Sequence, residues 1–124
     1  MKKYHILIVD DDQAIVETLK QWLEMNGYQV TIAMAADEVV WLSQWQWERF
    51  DCIITGINQS GLNGLTFTKL IRDSGGPTVI IMSGYKPEIA RVRALEMGAA
   101  AFIKKPFSLE GLLEIVESCC GKDM

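Results

Sequence analysis

Apolar positions along the chain fall into two alternating types. Short continuous runs occur at Ile6-Leu7-Ile8-Val9, Tyr28 to Ile32, Cys52-Ile53-Ile54, Thr78 to Met82 and Ala101-Phe102-Ile103. Runs this short and this rich in β-branched residues read as strands buried on both faces. Between them the apolar residues recur at helical spacing. Ile15, Leu19, Trp22 and Leu23 share one face, and Gly27 stands where a helix C-terminal cap belongs. Asp37 to Trp47 is a second helical segment, and Leu65, Leu70 and Ile71 mark a third. Glu88 to Met97, closed by Gly98, is a fourth, and Ser108 to Cys119 is a fifth with Ser108 at its N-cap. Five strand–helix pairs predict an α/β domain built on a parallel sheet, with helices on both faces and right-handed crossovers.

In an open parallel sheet, ligands gather at the carboxyl ends of the strands. Asp10, Asp11 and Asp12 follow the first strand, and Thr55, Gly56, Ile57 and Asn58 the third. Ser83 and Gly84 follow the fourth, and Lys104, Lys105 and Pro106 the fifth. Carboxylates, a hydroxyl and a lysine therefore converge on one rim. Hard oxygen ligands at one point suit Mg²⁺, which takes one or two carboxylates and keeps several waters. Each element also has a plain reading: Asp11 or Asp12 as a helix cap, Ser83 as a turn residue, Lys104-Lys105 as a solvated pair. Their joint placement favours a site.

Composition narrows the field. The chain has 124 residues, 49% hydrophobic, enough for a core without staples. It is read as one domain over residues 1–124, with no linker or low-complexity segment. Sixteen acidic residues against 12 basic ones give a net charge of −4, and no basic stripe points to nucleic acid. No apolar run reaches the ~20 residues of a membrane span. The N-terminus lacks a secretory pattern, so a cytoplasmic location is expected. Three cysteines without metal-ligand spacing, two of them adjacent, favour neither a disulfide framework nor a zinc site.

Several motifs in order carry a resemblance that covers nearly the whole chain. They are Ile6-Leu7-Ile8-Val9-Asp10-Asp11-Asp12, Gly61-Leu62-Asn63-Gly64-Leu65, Ile81-Met82-Ser83-Gly84, and Ala94-Leu95-Glu96-Met97-Gly98-Ala99 running into Phe102-Ile103-Lys104-Lys105-Pro106-Phe107. Together they resemble the receiver domain of two-component response regulators. The resemblance implies a flavodoxin-like, doubly wound fold of five strands in the order 2-1-3-4-5 with five helices. It implies that Asp10 and Asp11 hold Mg²⁺, with the backbone carbonyl of Asn58 as a further ligand. Ser83 would bind a phosphoryl oxygen, Lys105 would pair with the phosphoryl group ahead of a cis bond to Pro106, and Phe102 would be the aromatic switch. Implied partners are a histidine kinase, an effector domain or another regulator. A dimer through the fourth helix, fifth strand and fifth helix is also implied.

One position departs from that pattern. The aspartate that accepts phosphate in the family falls on Gly56, counted from either flanking motif, and Gln59-Ser60 replace the usual Met-Pro. Glycine offers no nucleophile. Asp10, Asp11 and Ser83 are the neighbours considered as substitute acceptors. With one carboxylate fewer, Mg²⁺ binding is expected to be weak, and Lys105 is expected to turn to Asp10 or Asp11. Unit charges ~4 Å apart at an effective dielectric of ~20 attract by roughly 4 kcal/mol before desolvation is subtracted.

The expected function is a non-enzymatic receiver-type signalling module, independent of phosphorylation and acting through protein contacts. The alternative is an ordinary phosphoaccepting receiver carrying an engineered or compensated Gly56. More remote is a small α/β enzyme or flavin-binding protein, for which the three aspartates after the first strand are the wrong phosphate loop. Trp41 and Trp45 share a helix face that serves either packing or a partner. Tyr85 with Phe102 marks a second candidate partner surface.

Overall fold

A computed structural model describes residues 3–36, 49–57 and 63–120. In chain order the elements are β1 (His5–Val9), α1 (Gln13–Met25), β2 (Gln29–Ala33), β3 (Cys52–Gly56), α2 (Gly64–Asp73), β4 (Thr78–Ser83), α3 (Pro87–Glu96), β5 (Ala101–Lys104) and α4 (Leu109–Cys120). The strands form one sheet in the order β2-β1-β3-β4-β5, every pair parallel. This is the doubly wound order that the resemblance implies. Four helices lie among the described residues. The predicted helical segment Asp37–Trp47, with its tryptophans, lies outside them.

The period of two along each strand divides the core into two layers. Leu7, Val9, Ile53, Val79 and Ile81 face one side, where Phe67 and Ile71 of α2 and Ala90 and Ala94 of α3 cover them. Ile6, Ile8, Cys52, Ile54, Ile80 and Met82 face the other, beneath Val16, Leu19 and Leu23 of α1 and Leu112 and Val116 of α4. Both layers exclude water because both sheet faces are apolar, which is why the strands read as unbroken hydrophobic runs. The Trp22 indole N–H ties α1 to the start of α4 by donating to the Leu109 carbonyl at 2.9 Å.

Helix ends follow local chemistry. Asp12, Asn63 and Ser108 accept the N–H groups of Ile15, Leu65 and Gly111 at 3.2, 2.7 and 2.9 Å, capping α1, α2 and α4. Gly27 and Gly98 adopt φ of +91° and +101°, the left-handed conformation that closes a helix at little cost to glycine. Strands also extend beyond their apolar runs, β3 and β4 at the rim among them. Thr55 and Gly56 continue β3 because Gly56 pairs in register with Met82, and Ser83 ends β4 opposite Lys104. Backbone pairing, not side-chain polarity, sets these ends, and it carries the polar residues of the rim on rigid strands.

Candidate functional site

The rim is built where β1, β3 and β4 end and the chain leaves β5. Asp10 is the first residue past β1, on the same sheet face as Gly56, and its N–H donates to the Ala33 carbonyl at 3.2 Å. Lys105 is held by its own N–H, which donates to the Ser83 carbonyl at 3.0 Å, and by a cis peptide bond to Pro106. Gly84 admits this approach, since a β-carbon there would lie 3.2 Å from that of Lys105. Asp10, Asp11, Asp12, Gly56, Ser83, Tyr85 and Lys105 are among the residues lining a cavity of about 210 Å³.

The centre of the site is an ion pair. The Lys105 Nζ donates to Asp10 Oδ2 at 3.1 Å, with the two side chains 25% and 6% exposed. The other oxygen, Oδ1, accepts the Asp12 N–H at 2.9 Å. A carboxylate this buried requires such partners, because an uncompensated buried charge is costly. The expected turn of Lys105 toward the acidic pair is thus present, and Asp10 is the residue that receives it. Asp10 Oδ2 also lies 2.7 Å from the point a β-carbon on Gly56 would occupy. The acidic side chain fills the space that glycine leaves.

Ser83 contributes its hydroxyl to the following loop. The Tyr85 N–H donates to Ser83 Oγ at 3.3 Å, and that hydroxyl contacts the Tyr85 carbonyl at 3.5 Å. The loop then passes through Lys86 at φ +45°, a strained conformation for a residue with a β-carbon. Asp11 is exposed beside the cavity, and Asp12 is taken up as the cap of α1. Asn58 lies outside the described residues. Phe102 is half-buried against the α2–α3 layer, away from the rim. It lines a separate groove with Pro87, Glu88, Arg91 and Lys104.

Two polar side chains on β3 besides the rim residues lie away from the site. The Cys52 thiol is buried low on β3, and a hydrogen bond to Cys120 together with burial holds its pKa well above the usual range. A raised thiol pKa lowers the thiolate fraction on which nucleophilicity depends. Thr55 points to the opposite layer and donates to the Gly56 carbonyl at 2.9 Å. Two features escape sequence reading: the Asp12 N–H as the anchor of Asp10, and the left-handed Lys86. Neither backbone role has a side-chain signature.

Among the described residues, the donors left for a divalent cation are the exposed Asp11 carboxylate and an Asp10 carboxylate that already has partners. Mg²⁺ needs carboxylate oxygens it can approach with its water shell. Gly56 supplies none, and both Asp10 oxygens are engaged by Lys105 and Asp12.

A parallel sheet in this order, with acid, hydroxyl and lysine meeting at its switch point, defines a flavodoxin-like α/β protein. The chain belongs to the response regulator receiver domain family, whose model matches residues 6–117. It is 35% identical over 109 residues to response regulator MprA of Mycobacterium ulcerans, covering 87% of this chain and 46% of that protein. It is 30% identical over 117 residues to the transcriptional regulatory protein FixJ of Bradyrhizobium diazoefficiens, covering 94% and 56%. The chain therefore spans about half the length of these curated relatives. Among solved structures, a putative response regulator from Chloroflexus aurantiacus superposes with a TM-score of 0.88 at 26% identity, covering 98% of this chain and all of that one. A CheY-like receiver domain protein from Methanospirillum hungatei gives 0.84 at 31% identity, covering 98% and 96%.

Proposed function

We propose that this chain is a receiver-type module of a two-component or phosphorelay system that signals without accepting phosphate. One observation carries the reading. Gly56 ends β3 where an acceptor side chain would stand, and the Asp10 carboxylate fills that space in a pair with Lys105. An acyl phosphate cannot form on glycine. The module is not an enzyme in this reading. It works in the cytoplasm, and its conformation is read by protein partners.

Those partners are a histidine kinase, an effector domain, another regulator or a second copy. The α3–β5–α4 side supports this reading. Tyr85, Ile89, Val92 and Leu95 expose 66%, 56%, 57% and 48% of their surface there. Apolar residues clustered on one helix and its leading loop are a liability unless a partner covers them.

The test is incubation with acetyl phosphate and Mg²⁺, read by intact mass, for the protein and for Gly56→Asp. The expected result is no change in the protein and a gain of about 80 Da, one phosphoryl group, in the variant. A stable gain in the protein as it stands would overturn the reading.

A further inference from the structure

We infer that Lys105 is the resident cation of this site: its ammonium takes the place that a divalent metal would hold on Asp10. The inference deepens the proposed function at the same rim and rests on reading that rim as a receiver site. Metal binding and phosphate acceptance are measured separately, so either can fail alone.

The argument begins with charge. Asp10, Asp11 and Asp12 bring three carboxylates to the cavity, and Gly56 withholds a fourth. Asp11 is exposed, and Asp12 is occupied in capping α1. Asp10 alone is buried, so it is the carboxylate that most needs a counter-ion. Lys105 meets that need with a contact of 3.1 Å. The lysine is also delivered to this spot by the backbone, through its N–H bond to Ser83 and its close packing on Gly84. Its cation is built in and needs no binding from solution.

Geometry then sets the lysine and a metal in competition for one carboxylate. Asp10 Oδ1 is spent on the Asp12 N–H, and Oδ2 faces both Lys105 and the space above Gly56. A cation on Oδ2 would share that oxygen with the ammonium, and repulsion between the two positive charges disfavours holding both. The binding-competent form is the one with Lys105 swung away, and apparent affinity falls by the fraction of molecules in that form. A competent fraction of about a tenth weakens metal binding about tenfold. Gly56 favours the closed arrangement twice over. It adds no carboxylate for the metal, and it leaves Asp10 room to lean toward Lys105.

The experiment titrates the full chain with Mn²⁺ alone and follows the free ion by electron paramagnetic resonance. Lys105→Ala should bind Mn²⁺ at least about tenfold more tightly than the unmodified protein. Lys105→Arg, which keeps the charge, should bind no better than the unmodified protein. Adding Asp10→Asn to Lys105→Ala should abolish the gain. Equal affinity in the unmodified protein and Lys105→Ala overturns the inference, as does a gain that survives Asp10→Asn. Circular dichroism checks that each variant is folded. Should Lys105→Ala not fold, Lys105→Gln, which keeps the side-chain length and removes the charge, takes its place in the titration with the same supporting and overturning outcomes. Equal Mn²⁺ affinity in the unmodified protein and Lys105→Ala, with no phosphoryl group taken up, sinks this inference and leaves the proposed function standing.

Discussion

Asp10 places a carboxylate oxygen 2.7 Å from where a β-carbon on Gly56 would sit, so the two positions share one space. Real β-carbons do not tolerate that distance, and the oxygen is not free to drift, since Lys105 and Asp12 hold its carboxylate. Gly56→Ala should therefore destabilise the fold by about 1–3 kcal/mol, the range of overpacking in a filled site. In an Asp10→Ala background the same substitution should be neutral, or gain a few tenths of a kcal/mol from the stiffer unfolded chain. Urea denaturation of the four proteins in the cycle measures the coupling. Equal costs in both backgrounds would show that Asp10 does not occupy the space.

The doubly wound sheet was legible because its signals are long and repeated. Ile6–Val9 and Thr78–Met82 are strands buried on both faces, and Leu19 and Leu23 fall on one side of α1. The rim was legible for a related reason, since a parallel sheet brings Asp10, Ser83 and Lys105 together wherever their strands end. What Asp10 does there was only half visible. Charge alone allowed Lys105 either Asp10 or Asp11, and burial decides for Asp10. The left-handed Lys86 and the Asp12 N–H bond to Asp10 were invisible, because they are properties of the backbone path. Helical spacing marked Glu88–Met97 as a helix, yet which of its sides faces water required the sheet. Ala90 and Ala94 pack inward, and the larger Ile89 and Val92 are left outside.

Trp22 joins the two helices on one sheet face, so its hydrogen bond can be separated from its packing. The half-buried indole N–H donates to the Leu109 carbonyl. Trp22→Phe keeps an aromatic ring on the core and removes the donor, at a cost of about 1 kcal/mol. Trp22→Ala removes the packing as well and should cost roughly 3 kcal/mol. Chemical denaturation followed by far-UV circular dichroism gives both numbers. A Trp22→Phe variant as stable as the parent would assign the interaction to packing alone.

His5 makes the fold sensitive to mild acid. Its ring lies edge-on to Phe50 at 4.6 Å, and Nε2 is 2.7 Å from Thr31 Oγ1. Burial, then the Arg49 guanidinium, lowers its pKa from the ordinary 6.5, with Asp51 opposing. Below pH 6.5 the unfolded chain therefore binds a proton that the native ring resists. Stability is fully present above pH 6.5 and is lost as pH falls through the lowered native pKa. His5→Gln should flatten that loss. Denaturant midpoints of parent and variant, measured either side of the ordinary pKa, check it. An unchanged slope in the variant would move the acid sensitivity to other groups.

Helix α3 carries two faces with opposite consequences. Ala94 is fully buried beneath the helix, whereas Ile89 and Val92 each leave more than half their surface in solvent. Ala94→Glu forces a charge into the α2–α3 layer of the core and should cost at least about 3 kcal/mol. Ile89→Glu combined with Val92→Lys alters only the outer face, so unfolding free energy should change by no more than about 0.5 kcal/mol. The paired variant therefore keeps the fold while replacing two of the four exposed apolar residues, Ile89 and Val92, on which the proposed partner surface rests. Thermal melts establish the first half of that contrast. Sedimentation of parent and paired variant at matched high concentration tests the second. A second copy bound through this face dissociates in the variant, while an association that persists must use a different surface.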